Sequence, residues 1–297
     1  MQFRLSAKAD IRQRVPEPVY ARFLMFLISL LVIVPMVYVL SGRELPIVVV
    51  DLLRDYVPND TAPSEELVAW AMLAGAAVGA TPIHKLVRYL ATVVHELGHA
   101  FTAGILGGRP KQITISTDTS GLAMYRPPIH WGRFRASIVS AAGYPAPAIA
   151  SLAAVEAIQM GYSKAWFFFS GGTLAVAIIA LIRNFWGFFW TAGAVGGSYF
   201  AARELSSELL GGIVASIAGF LAVEAYRHAF TQFSLSRFRG THCDAEMISL
   251  FLKLPLRPTA FLHLAATTAI SALALREGIE PYWSDIRSTV EDLLRTS

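Results

Sequence analysis

Apolar runs of about 17 to 22 residues recur along this chain, each long enough to cross a hydrocarbon core of about 30 Å at about 1.5 Å per residue. About eight can be marked: Ala21–Leu40, Leu67–Ile83, Leu86–Leu106, Ala136–Met160, Ala165–Ile182, Asn184–Ala202, Leu209–Tyr226 and Pro258–Leu275. A backbone in lipid must satisfy its own polar groups, which leaves helices or a closed barrel. None of these runs alternates apolar with polar residues, so a barrel is disfavoured. Only 15% of the residues are charged and 55% are hydrophobic, whereas soluble domains carry about a quarter charged residues. The expected fold is an all-α polytopic membrane protein with about six to eight transmembrane helices. The spread in that number comes from Arg183, which alone separates the fifth run from the sixth. Those two runs can form one bent or re-entrant element.

The first run is too long for a signal peptide, and "VLSGRELP" after it is a poor cleavage site, so a permanent anchor is expected there. A single cysteine, Cys243, excludes an intrachain disulfide framework. Basic residues are scattered through the loops without interleaved aromatics, which argues against nucleic-acid binding and for contact with anionic lipid heads. The partner expected from composition is the bilayer itself. Nothing in the sequence fixes an oligomeric state.

Within the third run stands "VVHELGHAFTA", with His95, Glu96 and His99 where ionisable groups are costly. On a helix His95 and His99 project about 40° apart on one face, so both imidazoles can bind one metal ion. Glu96, the next residue along, can reach a water on that metal and act as general base. A shuffled chain of this composition would contain about 0.007 such HExxH matches, so the pattern is specific. The competing reading is a pair of packing histidines bonded to neighbouring helices.

A zinc site requires a third protein ligand and an open position. "THCDAEM" gathers His242, Cys243, Asp244 and Glu246 at the start of a short amphipathic helix running from Asp244 to Leu254. Asp244 there reads equally as a ligand and as a helix cap. Glu156 and Glu224 read as interfacial residues, His84, His130 and His263 as interfacial or packing residues, and His228 as part of a polar loop. Asn184 lies in the apolar stretch "IRNFWGFFW" and must find a partner, either across helices or on the substrate backbone.

After the HELGH helix, "KQITIST" and "GLAMYR" flank a turn around Asp118 to Gly121 and predict a small β-hairpin. Such a hairpin needs an interfacial or protein-covered position. Gly143, Pro145 and Pro147 predict a kink or break in the fourth run. Three sections result: residues 1–85 as a tail with accessory transmembrane helices, 86–275 as a compact core, and 276–297 as a C-terminal tail.

In order along the chain, "ATVVHELGHAFTAGILGGRPKQITIS", "SGLAMY", "SIVSAAGYPAPAIASL", "LIRNFWGFFW" and "THCDAEMISLFLKLP" resemble the M50B-like integral-membrane zinc metallopeptidases, relatives of the site-2 proteases. The resemblance implies an intramembrane zinc metalloprotease acting on membrane protein substrates, in an integral, multi-pass protein of the cell membrane. It implies Zn2+ held by His95 and His99, with Glu96 activating water and a later carboxylate as third ligand. Many relatives of this subgroup carry a Ser-Asp-Ala stretch where Cys243-Asp244-Ala245 stands, which favours Asp244. The Leu-Asp-Gly motif of the site-2 proteases proper does not occur. Asn184 and Gly143 are expected on the substrate side of the site. The rival readings are a non-proteolytic zinc-binding regulatory protein, and a transporter built on broken helices near Pro145 and Arg183.

Overall fold

In a computed structural model of the chain, residues 63–129, 131–238, 240, 241, 243–283, 287 and 295 are described. The expected anchor at Ala21–Leu40, and His130 and His242, lie outside these residues. The described chain is mostly helical, with one two-stranded hairpin. In chain order the elements are α1 (Glu65–Ala80), α2 (His84–Ile105), β1 (Arg109–Ile115), β2 (Gly121–Arg126), α3 (Arg133–Ala141), α4 (Pro145–Gln159), α5 (Ser163–Ala180), α6 (Phe185–Glu204), α7 (Ser207–Leu235), α8 (Asp244–Leu252) and α9 (Leu256–Ile279). A 3-10 turn, Glu280–Tyr282, follows, and Tyr282 packs beside Ala69 and Leu73 of α1.

Among the described residues, three helices are long and apolar enough to cross a membrane: α5, α7, and α9 with its 3-10 extension. A fourth crossing results if α3 and α4 count as one span bent by 54°. The reason for the bend is local: Pro145 opens α4 and donates no amide to the preceding turn. Helix α2 is long enough, but His84, Lys85, Arg88 and the HELGH residues make it too polar to count with them. The exposed aromatic face of α6, with Phe185, Trp186, Phe188, Phe189, Tyr199 and Phe200, is one that water disfavours and lipid tolerates.

Helix α7 forms the spine. Its buried face is built from small residues, among them Gly211, Ala215, Ala218, Gly219, Ala222 and Ala225, which lets neighbours approach closely. Ser216 Oγ donates to the Ala71 carbonyl of α1 (2.9 Å), and Ser151 Oγ of α4 donates to the Ala218 carbonyl (2.7 Å). Around this spine Met72, Val155, Phe167, Leu210 and Val214 make one apolar core. A second core joins α2 to the hairpin through Val93, Leu97, Ile113, Ile115, Leu174 and Leu181.

The hairpin folds back along α2 rather than extending away from it. Tyr89 Oη donates to the Thr117 carbonyl (2.7 Å) and Thr92 Oγ1 to that of Thr119 (2.9 Å), which pins the tip to the first half of the helix. At the tip, Asp118 accepts from the Ser120 hydroxyl (2.6 Å) and amide (2.9 Å), and these bonds hold its carboxyl below the usual carboxylate range. The outer edge of β1 is covered. Ile113 N–H donates to the Leu181 carbonyl (2.8 Å) and Arg183 N–H to that of Ile113 (3.2 Å). The segment between α5 and α6 therefore closes one side of the sheet, and the two helices are separate elements.

Candidate metal centre

The 3.6-residue period carries His95 and His99 to one face of α2, where their Nε2 atoms stand 3.1 Å apart. Asp244, the first residue of α8, brings its Oδ2 to 3.4 Å from His95 Nε2 and 3.3 Å from His99 Nε2. These three residues are the metal-compatible cluster among the described residues. Its exposure is graded: His99 is buried, while His95 and Asp244 are half-buried.

His99 Nδ1 lies 2.7 Å from the Val139 carbonyl oxygen, which can only accept. Nδ1 therefore carries a proton, which leaves Nε2 as the nitrogen available to a metal. The Asp244 carboxylate oxygen points at the same spot and has no other hydrogen-bond partner, as has the buried His95 Nδ1 among the described residues. With both Nε2 atoms deprotonated, these three atoms would direct their lone pairs at one point and hold a cation between them. Tetrahedral zinc with bonds of about 2.0–2.1 Å would hold its ligand atoms about 3.3–3.4 Å apart. The observed edges of 3.1, 3.3 and 3.4 Å match that triangle. Two imidazoles and one carboxylate are also an ordinary zinc donor set. The residues present fit the group.

Asp244 is not a helix cap. The N-terminus of α8 has no side-chain cap from Cys243, and the Ala245 amide donates instead to Gln232 Oε1 of α7 (3.0 Å). Gln232 Nε2 in turn donates to His263 Nδ1 of α9 (2.9 Å), and His263 Nε2 donates to the Ala141 carbonyl at the end of α3 (2.8 Å). This satisfied buried chain ties four helices together behind Asp244 and frees its carboxylate to face the imidazoles. Neither Gln232 nor the use of His263 was evident from sequence. The only available signal was a glutamine on the apolar side of a long helix.

Glu96 is buried, 5% exposed, and lies under the start of β2 beside the Ala123 amide. A Cβ on Gly121 would stand 2.6 Å from Glu96 Cγ and 2.7 Å from Cδ. The register explains this proximity. Ile113 and Ile115 direct their peptide groups away from β2, so their cross-strand partners, Ala123 and Gly121, direct theirs away from β1. The outer edge of β2 thus faces Glu96, and among the described residues no strand pairs with it.

Gly143 sits against the metal-facing imidazoles. A Cβ there would lie 2.6 Å from His95 Cε1 and from His99 Cε1. Its place at the α3–α4 break is what lets the bent pair touch the histidines. Asn184 meets β1 instead: its Nδ2 donates to the Ile115 carbonyl (2.6 Å) and its Oδ1 accepts from the Ile115 amide (3.0 Å).

Two expectations need correcting. Glu224 is not interfacial but fully buried, with His228 Nε2 at 3.2 Å, Arg227 Nε at 3.4 Å and Arg88 Nε at 3.8 Å. His228 belongs to α7 rather than to a loop, and it accepts from Arg88 Nε at 2.8 Å. Burial of a carboxylate requires such company. Glu156 is half-buried, and neither acid belongs to the metal cluster.

Comparison with known families gives one result: the family model described as Peptidase M50B-like matches residues 68–275. No curated protein and no solved structure matches the chain.

Proposed function

The chain belongs to the Peptidase M50B-like family, and from that premise we propose that it is a zinc-dependent metalloendopeptidase of the membrane. Its substrates are membrane-embedded or membrane-adjacent proteins, and the chain crosses the cell membrane several times. The observation that carries this reading is the convergence of His95, His99 and Asp244 on one point, with Glu96 close by under a strand edge that no described strand pairs with.

His95 Nε2, His99 Nε2 and Asp244 Oδ2 would hold the zinc. When bound, zinc lowers the pKa of its water to about 7 and polarises a carbonyl. Glu96 takes the proton of the attacking water and delivers it to the leaving nitrogen. The Val139 carbonyl fixes the His99 tautomer throughout.

An intact substrate helix hides its carbonyls, so the cleaved segment must be extended. The outward peptide groups of Gly121 and Ala123 on β2 would hold it as an added strand, in register with Glu96. Asn184 acts toward substrate through the strand it secures, and Gly143 through the imidazoles it accommodates.

The test is made on full-length protein purified in detergent without chelator. Zinc near one per chain, lost in His95→Ala and Asp244→Ala, is expected, together with hydrolysis of a fluorogenic casein-derived polypeptide that Glu96→Gln abolishes. No zinc in the wild-type protein after resupply would sink the reading. Zinc binding with no hydrolysis above Glu96→Gln would favour a non-proteolytic zinc protein.

A further inference from the structure

Tyr144 follows Gly143 directly, yet the arrangement above gives its side chain no task. Its ring is clamped edge-to-face by three imidazoles: His95 at 4.7 Å, His263 at 5.3 Å and His228 at 6.4 Å between centroids, with interplanar angles of 84°, 81° and 90°. The His263 clamp is immobile because both its ring nitrogens are engaged, by Gln232 and by the Ala141 carbonyl. A phenol has two side-chain torsions, so a ring held on three sides has its hydroxyl aimed in advance.

That hydroxyl makes no hydrogen bond with any described residue. The clamp alone would be served by phenylalanine, and Tyr144 is only half-buried. The groups it interacts with electrostatically include the Asp244 and Glu96 carboxylates, one on the metal-binding triangle and one proposed as the base. A donor without a protein acceptor, on a ring packed 4.7 Å from the metal-site imidazole of His95, suits an acceptor that arrives with the substrate.

We propose that Tyr144 is a catalytic residue whose hydroxyl donates a hydrogen bond to the oxyanion formed on the scissile carbonyl. This rests on the peptidase reading. Water oxygen bonds to the carbonyl carbon, its proton passes to Glu96, and the carbonyl π pair moves onto oxygen. Tyr144 keeps its own proton and stabilises that charge. The pair then returns as the C–N bond breaks, and the proton on Glu96 goes to the departing nitrogen, giving a carboxylic acid and an amine that exchange the remaining proton and leave as carboxylate and ammonium. A fixed donor toward an oxyanion acts on the transition state and not on the bound substrate.

The test compares wild type, Tyr144→Phe and Glu96→Gln as full-length zinc-loaded protein, with the casein-derived polypeptide as substrate. Tyr144→Phe keeps the clamping ring and removes only the oxygen. Its zinc content and KM are expected to stay at wild-type values while kcat falls by about 10²- to 10³-fold. Affinity for a peptidyl phosphonate, which carries a tetrahedral oxyanion, is expected to fall, and affinity for a peptidyl hydroxamate to hold. Wild-type turnover with an unchanged kcat and phosphonate affinity in Tyr144→Phe overturns this assignment alone. Wild-type turnover no higher than that of Glu96→Gln overturns it together with the peptidase reading.

Discussion

Glu96 and Gly121 are in direct opposition: the glycine's missing side chain is the space the carboxylate occupies, with only 2.6 Å between a Cβ there and Glu96 Cγ. The proposed base is thereby pressed against the strand that would carry the substrate. A displacement of about 1 Å at such a point can lower a rate by about 10²-fold.

Gly121→Ala is therefore expected to reduce kcat/KM by about 10²-fold while zinc content stays at the wild-type level, because none of the three metal-facing atoms touches Gly121. Metal analysis beside steady-state kinetics checks this. Loss of zinc in the variant would show that the hairpin supports the metal centre and not the base.

Gln232→Leu removes the link between the Ala245 amide and His263. A buried donor left without a partner costs about 1–3 kcal/mol. Loss of this kind of support behind a ligand typically weakens metal binding about 10- to 100-fold. A competitive zinc titration reads the second effect, and thermal unfolding in detergent the first. Unchanged zinc affinity would mean that Asp244 holds its position without α7.

Glu224→Gln leaves Arg88 and Arg227 without their shared counter-charge. Breaking a buried pair costs about 3–5 kcal/mol. The lower end is expected here, because the Arg88 and Arg227 side chains are 34% and 38% exposed and can turn outward. Zinc content should not change. A drop in zinc would place Glu224 functionally within the metal centre despite its separation from the cluster.

Asn184→Ala unfastens the end of β1 by removing both bonds to Ile115. The expected result is a raised KM for the polypeptide substrate with little change in zinc content or in hydrolysis at saturation. A loss confined to kcat would point instead to contact with the reacting bond.

The features legible from sequence were those encoded locally. The four-residue spacing of His95 and His99, the alternation on either side of Asp118, and Pro145 beside Gly143 each specify geometry within a few residues. Asp244 was legible only in part, since an aspartate opening a helix looks the same whether it caps or binds. What removes the cap reading is the place of Asp244 inside the first turn, where Gln232 meets the neighbouring free amide from another helix. Glu224 is hard to read for a similar reason: its partner Arg88 lies 136 positions earlier, and a carboxylate near the end of an apolar run looks interfacial until that partner is found. The clamp around Tyr144 draws on three helices, so no single stretch of the chain announces it.

The two sides of the hairpin differ, and the difference acts as a traffic rule. With Leu181, Arg183 and Asn184 closing β1, the sheet can lengthen only beside β2. On the strand-addition reading there is one lane, and the cleaved halves of one polypeptide must peel away before another can enter. A short extended peptide with its second edge N-methylated would park in that lane and block it, with little regard for its side chains.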